Sequence, residues 1–322
     1  MNSKKTMSGI FDIAVLGGGP AGLTAAIYAL RARMKVLLIE RACFGGQMAT
    51  TDIIENYPGF PGGVTGSELS EKMTRQAKDL GLTIAESDVT GITPKKNEKD
   101  PCTVTTADNK TFQALAIVVA TGAHWNKLGV PGEEELAGRG VSYCATCDGP
   151  LYRQKEVVVV GGGNTALGDA IFLRKFVKKA TLVHRRDRLR ATKILQEQAF
   201  ADKNIDLCLS SVVMKILGKD RVEGVAVKHV ETGKESTIKA DGVFIFIGIQ
   251  PNSKFLQGIV DVDAKGYITA DNDMKTSADG IFACGDVREK SLRQIVTAAG
   301  EGAAAAYSAQ HYVERLQGTE YV

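Results

Sequence analysis

Two cysteines three positions apart, Cys144 and Cys147, lie in the run Tyr143 to Gly149, YCATCDG. The spacing lets them close a small disulfide, and it is the spacing used for thiol–disulfide exchange. Such a pair needs a source of electrons. Cys147 stands fourteen residues before a glycine-rich loop that opens at Gly161, and another such loop lies near the N-terminus. A dithiol flanked by two dinucleotide fingerprints reads as a relay.

The elements around the first loop fit that purpose. Phe11 to Leu16 reads as a buried strand, and Leu23 to Arg33 has helical spacing. Between them, Gly17, Gly19 and Gly22 match G-x-G-x-x-G, with Pro20 and Ala21 inside the turn. The first glycine permits the tight turn, the second lets backbone approach a pyrophosphate, and the third lets helix and strand pack closely. Pro20 suits a first helical turn, where its missing N–H costs nothing. The helix N-terminus would face the phosphates. A second strand, Lys35 to Ile39, ends at Glu40, 23 residues after Gly17. An acid there is placed to meet a ribose hydroxyl. The alternative is a glycine-rich turn in an unrelated α/β protein.

The second loop repeats the plan and changes its end. Glu156 to Val160 is a valine strand of the central parallel kind. Gly161, Gly163 and Ala166 follow, with Asn164 and Thr165 between, and alanine is an accepted third residue. The next strand, Ala180 to Val183, ends at His184, again 23 residues on. No acid stands there. The segment His184 to Arg190, HRRDRLR, offers Arg185, Arg186 and Arg190 instead. A carboxylate would repel a 2′-phosphate, whereas guanidinium groups grip it with charge-assisted bonds. The second site therefore reads as built for NADPH rather than NADH. The alternative is a solvated basic helix start.

Composition narrows the class. A chain of 322 residues can hold two domains with their own cores. Apolar content of 44% and charged content of 24% are ordinary for a globular protein. A net charge of +3 without a clustered basic excess argues against nucleic-acid or membrane-surface partners. The most apolar stretch, around Leu115 to Ala123, falls far short of the roughly 20 residues that a bilayer requires. Lys4 and Lys5 resemble the charged start of a secretory signal, but Asp12 interrupts the apolar run that follows. The expected location is cytoplasmic, where a close cysteine pair is catalytic or metal-binding more often than structural. Cys43, Cys102, Cys208 and Cys284 are singletons, and Cys284 reads as a buried small hydrophobe. No Cys/His grouping has zinc spacing, so no metal site is expected.

Taken together, the CATCDG run, the loop from Gly161 to Ala166 and the HRRDRLR segment resemble the low-molecular-weight, bacterial type of thioredoxin reductase, within class II of the pyridine nucleotide-disulfide oxidoreductases. Further likeness runs almost end to end. Gly45 to Gln47 and Ile54 to Gly59 resemble flavin-side loops of that family. Val119 to Ala123 resembles the strand and turn where the chain leaves the FAD domain, and Gly280 to Val287 resembles a late FAD motif.

The resemblance implies an α/β protein of two Rossmann-like dinucleotide-binding domains, of the three-layer FAD/NAD(P)-binding type. An NADPH domain, residues 125–251, would carry the CATC motif and be inserted into a discontinuous FAD domain, residues 1–124 and 252–322. His124 to Val130 and Gln250 to Asn252 are the expected crossings, hinge-like in composition. The implied activity runs from NADPH through FAD and the Cys144–Cys147 dithiol to the disulfide of thioredoxin, in a homodimer. By the resemblance, Cys147 is the thiol nearest the flavin, Cys144 attacks thioredoxin, and Asp148 is the acid–base group. For Asp148 the plain alternative is a turn residue. Gly46, Gln47, Asn56, Thr121 and Gly122 would be flavin contacts, with ordinary loop hydrogen bonding as the alternative for Gln47 and Asn56. Gly285 and Asp286 would meet the ribityl or phosphate region, with a helix N-cap as the plain role of Asp286. Arg293 and Gln294 would bring backbone N–H groups, with Ile295 beside them, to the electron-rich side of the reduced flavin. Nicotinamide and dithiol share one domain and one flavin, so a rotation between two domain arrangements is expected.

The sequence departs from the family at Gly168 and Asp169, where many members have two glutamates, and at Arg188, where a small residue often stands. The first departure lies close to the pyridine nucleotide and bears on NADPH affinity; the charge added at Arg188 bears on partner docking or nucleotide affinity. Two competing readings remain. One is a flavoprotein of the same scaffold with another acceptor; the dithiol weighs against ferredoxin, and a first strand at Phe11 weighs against a peroxide-system reductase with added N-terminal domains. The other is a dithiol redox sensor without turnover.

Overall fold

The structure is a computed structural model that describes residues 9–41, 43–51 and 53–320. Lys4 and Lys5 lie outside the described residues. The chain divides into two compact units. One gathers the chain up to Thr51, then Tyr57–His124 and everything from Gln250 onward. The other gathers Trp125–Ile249 together with the short stretch ending at Asn56. Asn56 was expected with the first unit. It lies on a loop rather than on an element of the first sheet, so loop packing decides its grouping.

The first unit opens with β1 (Phe11–Leu16), α1 (Pro20–Arg31) and β2 (Val36–Glu40). The helix begins at Pro20, three residues before its apolar spacing starts, because proline is pre-set for a first turn. A short 3-10 turn, Gly46–Thr50, and α2 (Gly66–Asp79) lead to β3 (Thr83–Glu86). Thr65 caps α2 by accepting from the Glu68 N–H at 3.2 Å. A meander follows: β4 (Val89–Thr93), β5 (Cys102–Thr106) and β6 (Thr111–Val119). The sheet order is β3-β2-β1-β6-β5-β4, with β1 parallel to both β2 and β6.

The chain leaves through β7 (Ala123–Trp125) and enters the second unit at β8 (Val141–Ser142), followed by α3 (Ala145–Asp148). Then come β9 (Glu156–Val160), α4 (Asn164–Leu173), β10 (Lys179–Val183), α5 (Lys193–Ala201) and β11 (Ile205–Cys208). An antiparallel trio, β12 (Ser211–Leu217), β13 (Gly224–His229) and β14 (Glu235–Lys239), precedes β15 (Gly242–Ile245). The main sheet is parallel throughout, in the order β11-β10-β9-β15-β8. Strand β9 explains why it sits centrally. Its valines alternate between two cores: Val157 and Val159 pack with Leu167, Leu173 and Phe244, while Val158 and Val160 pack with Val183, Val243 and Ile245. Each such burial contributes about 1.5–3 kcal/mol.

The return crossing is β16 (Ile249–Pro251), and the two crossing strands pair with each other as a two-stranded sheet. The first unit is then completed by β17 (Ile281–Ala283) and α6 (Ile295–Gln317). β17 lies parallel to the second half of β6, so the nine-residue β6 serves β5 with one half and β17 with the other. α6 packs against α1 at Gly302, where a Cβ would fall 2.1 Å from the Ala21 carbonyl oxygen. No helix among the described residues is long and apolar enough to cross a membrane.

Candidate active site

The cysteine pair sits on the turn that follows β8. Cys144 and Cys147 are closed as a disulfide with their Cα atoms 5.3 Å apart. Cys144 is the N-cap of α3, and its sulfur accepts from the Cys147 N–H at 3.2 Å. Ser142, the last residue of β8, organises the turn. Its hydroxyl donates to Asp148 Oδ2 at 2.5 Å and accepts from the Cys144 N–H at 3.1 Å. Asp148 is thus the last residue of α3, tied back to the strand, rather than a loose turn residue. Thr146 is exposed, while both cysteines are half-buried.

The residue before the pair is anchored as well. Tyr143 donates to Glu133 Oε1 at 2.8 Å, and its ring stacks on Trp125 with centroids 6.1 Å apart. Glu133 is buried, and its carboxylate also accepts from the N–H groups of Leu128 at 3.0 Å and Gly129 at 2.7 Å. Three donors offset the cost of burying that charge. Burial first, and then the bond to Glu133, hold the Tyr143 hydroxyl well above the ordinary phenol range. Sequence reading missed Ser142, Glu133 and Tyr143. Their pairings span 6 and 10 residues, and no local pattern announces them.

The second glycine loop lies in the same unit. Gly161 has φ +149°, and a Cβ there would meet the Phe246 carbonyl oxygen at 2.5 Å. Gly163 is the N-cap of α4, with no side-chain cap and nothing within 4 Å of where a Cβ would stand. The start of that helix is open to a phosphate. Asn164 and Thr165 are exposed, and Asn164 accepts from the Thr192 N–H at 2.8 Å. Arg185, Arg186 and Arg190 are exposed beyond β10. His184 differs from them. It is 5% exposed, and its ring lies against Gly162, where a Cβ would fall 2.3 Å from Nδ1. Burial first, and then the three arginines, push its pKa below the ordinary histidine range, so the ring is neutral at pH 7. It supports the loop as an uncharged platform, and the positive charge of this segment stands on the exposed arginines. Asp169, on α4, is half-buried, and burial raises its carboxyl to about 6.

In the first unit, several backbone turns meet at one place. Gly17 has φ +106°, and a Cβ on it would lie 2.4 Å from the Ala120 carbonyl oxygen. Gly22 is tighter still, 1.8 Å from the Gly17 carbonyl oxygen. Gly19 caps α1 with no side-chain bond and open space around it. Glu40 Oε2 accepts from the Gly18 N–H at 2.6 Å. A Cβ on Gly46 would lie 3.5 Å from the Gly19 Cα, and Gln47 donates to the Ala123 carbonyl. Gly285, with φ +76°, abuts Ala21; a Cβ there would fall 2.8 Å from that of Ala21. Thr121 and Gly122 are stitched to Asn252: Thr121 Oγ1 donates to the Asn252 carbonyl at 2.8 Å, and the Asn252 N–H donates to the Gly122 carbonyl at 3.0 Å. Asn252 also accepts from His124 Nδ1 at 2.7 Å.

The start of α6 is closed by its own side chains. Gln294 is the N-cap, and its N–H donates to Thr297 Oγ1 at 3.2 Å in a capping box. That N–H is therefore taken up inside the helix start, and Ile295 is the first helical amide. Arg293 is likewise engaged: its guanidinium lies 4.1 Å over the Tyr267 ring and donates to the Lys290 carbonyl at 3.1 Å. Asp286 Oδ1 is buried without a hydrogen bond, although Lys290 stands 3.2 Å away as an ion pair. The uncapped N-terminus of α1, an open Gly19 and the Asp286 oxygen without a hydrogen bond fit a dinucleotide with a ribityl or ribose hydroxyl to donate. Among the other cysteines, Cys102 and Cys284 are buried, and burial pushes the Cys284 thiol up to about 12.

Comparison with known proteins agrees with this geometry. A family model described as pyridine nucleotide-disulphide oxidoreductase matches residues 11–302. The chain is 48% identical over 311 residues to a thioredoxin reductase of Bacillus subtilis (strain 168), covering 96% of this chain and 97% of that protein. It is 47% identical over 309 residues to one of Listeria monocytogenes, covering 96% of this chain and 95% of the other. The solved thioredoxin reductase of Streptococcus pyogenes matches with a TM-score of 0.91 and 44% identity, over 95% of this chain and 99% of that one. With a match that spans both glycine loops and the cysteine pair, this chain belongs to the pyridine nucleotide-disulphide oxidoreductase family.

Proposed function

We propose that this protein is a thioredoxin-disulfide reductase that takes electrons from NADPH and delivers them, by way of FAD, through the Cys144–Cys147 pair to thioredoxin. The observation that carries the reading is the closed disulfide beside Asp148, in the same unit as an open glycine loop flanked by exposed arginines. FAD and NADPH are the cofactors of the family. In this reading residues 1–124 and 252–322 hold FAD, and residues 125–251 hold NADPH. Gly17, Gly19, Ala21, Glu40, Gly46 and Asp286 face the flavin nucleotide, while Gly163, Arg185, Arg186 and Arg190 take the phosphates of the other. FAD, when bound, converts a hydride into the electron pair that a disulfide accepts.

The chain's own residues do the rest. Two electrons and two protons open the Cys144–Cys147 bond, and Asp148, held by Ser142, carries a proton to and from the sulfurs. Cys144, as thiolate, attacks one sulfur of the thioredoxin disulfide; a new S–S bond forms and the other thioredoxin sulfur leaves as thiolate. Cys147 then attacks Cys144, which re-forms the original disulfide and releases thioredoxin as a dithiol. The crossings at β7 and β16 are the hinges of this scheme, and the working form is a cytoplasmic homodimer.

The test is NADPH oxidation by the purified protein with and without thioredoxin, repeated with NADH. Thioredoxin-dependent oxidation with NADPH is expected. Cys147→Ser should abolish it while NADPH still bleaches the flavin. Unaltered thioredoxin reduction by that variant would end the relay scheme.

A further inference from the structure

We infer that Glu301 on α6 is a positioning residue for the flavin nucleotide, acting through the Gly285–Asp286 turn. The inference rests on the reading of the first unit as the FAD site.

The backbone creates the need. Gly285 follows β17 in a left-handed conformation and presses against Ala21 of the first glycine loop. Its N–H has no strand partner at that turn and must find an acceptor. Glu301 Oε2 takes it at 2.7 Å, from sixteen residues further along the chain. The neighbouring residue fixes where that carboxylate comes from. Gly302 lets α6 close on the Ala21 carbonyl, so Glu301 is delivered to the turn from a helix clamped on the same loop. Two consecutive residues thus bind one helix to both faces of the nucleotide turn.

Charge supplies the second argument. The side chain of Glu301 is 16% exposed, and its other oxygen stands 3.6 Å from Arg288 and 3.4 Å from Lys290. Lys290, 9% exposed, is shared with Asp286 at 3.2 Å. With Arg293 beside them, the group holds three cations and two carboxylates, a surplus of one positive charge. A half-buried charge group with a net cation favours an anion against it, as a pyrophosphate is.

The experiment measures FAD retention by the purified holoprotein on serial dilution and ultrafiltration, read by flavin absorbance. Glu301→Ala should weaken FAD binding tenfold or more. Glu301→Gln should stay within about threefold of the parent, because its amide oxygen still accepts from the Gly285 N–H. Where Glu301→Ala does not fold, Glu301→Asp, which keeps the charge and withdraws the oxygen, is judged by the same tenfold criterion. A Glu301→Ala protein that holds FAD as tightly as the parent overturns the inference. So does a Glu301→Gln protein as weak as Glu301→Ala. A parent protein that holds no FAD overturns the functional reading instead.

Discussion

The two glycine loops are built on one plan and part at one position. In each, a parallel strand turns through a left-handed glycine into a helix whose N-cap glycine carries no side-chain cap. In each, the residue ending the next strand lies beneath the middle glycine. Gly18 rests over Glu40, which accepts its N–H, and Gly162 rests over the ring of His184. The strand-end residue is therefore first a support for the loop. Its chemistry is a second matter: an acid in the first loop, a neutral ring in the second, with the positive charge moved outward to arginines. One backbone device thus stands on two different supports, an acid in one loop and a neutral ring in the other.

The third fingerprint position offers the strongest break. The second loop carries Ala166, but the first has Gly22, where a Cβ would lie 1.8 Å from backbone. Gly22→Ala should cost about 3 kcal/mol of stability, whereas Ala166→Gly should cost about 1 kcal/mol, measured by chemical denaturation. Equal losses would mean that the loops are interchangeable at that position. Next come the arginines. Arg185→Ala or Arg186→Ala should raise the KM for NADPH ten- to hundredfold, about 1.5–3 kcal/mol, with NADH unaffected. An unchanged preference would move the phosphate site elsewhere.

A smaller difference lies inside the helices. Ala25 on α1 is fully buried, and the matching place on α4 is Asp169. A carboxyl raised by burial to about 6 stabilises the fold most below 3.8, its ordinary value, and loses that contribution as pH rises through about 6. Asp169→Asn should therefore leave stability near pH 3 almost unchanged, begin to gain above pH 4, and gain about 1–2 kcal/mol at pH 8, allowing for solvent screening of a half-buried group. A flat difference across that range would show that burial does not govern the group. The smallest effect is expected for Glu40→Gln, which still accepts from Gly18. It should lower FAD affinity about threefold, under 1 kcal/mol; a hundredfold loss would mean that the charge, rather than the support, is what the first loop needs.

What the sequence disclosed follows from how local each signal is. β1, β9 and their loops were legible because apolar runs and glycine spacing encode them within about 20 residues. Pro20 marked the first turn of α1, and only the end was overrun, because the helical spacing was followed to Arg33 where the helix stops at Arg31. The capping box of Gln294 with Thr297 went unread although the partners stand only three residues apart, a pattern within reach of sequence reading. Glu133, Asn252 and Glu301 were beyond reach. Each joins residues that only the folded topology brings together, and a lone acid or amide in a loop or on a helix gives no sign of the backbone group it will meet.

The paired crossing strands also bear on how the molecule comes into being on the ribosome. The first unit starts the chain but lacks β17 and α6 until residues beyond Gln250 have emerged. Until then the outer side of β6 and the face of α1 have nothing to cover them. The second unit is complete once Ile249 has emerged, before β17 and α6 are made, with its own parallel sheet and both cores. The part that begins synthesis is therefore the last to close, and the inserted part is whole while its host is still waiting. Because the insert enters and leaves on neighbouring strands, its early folding brings the two severed halves of its host within reach of each other.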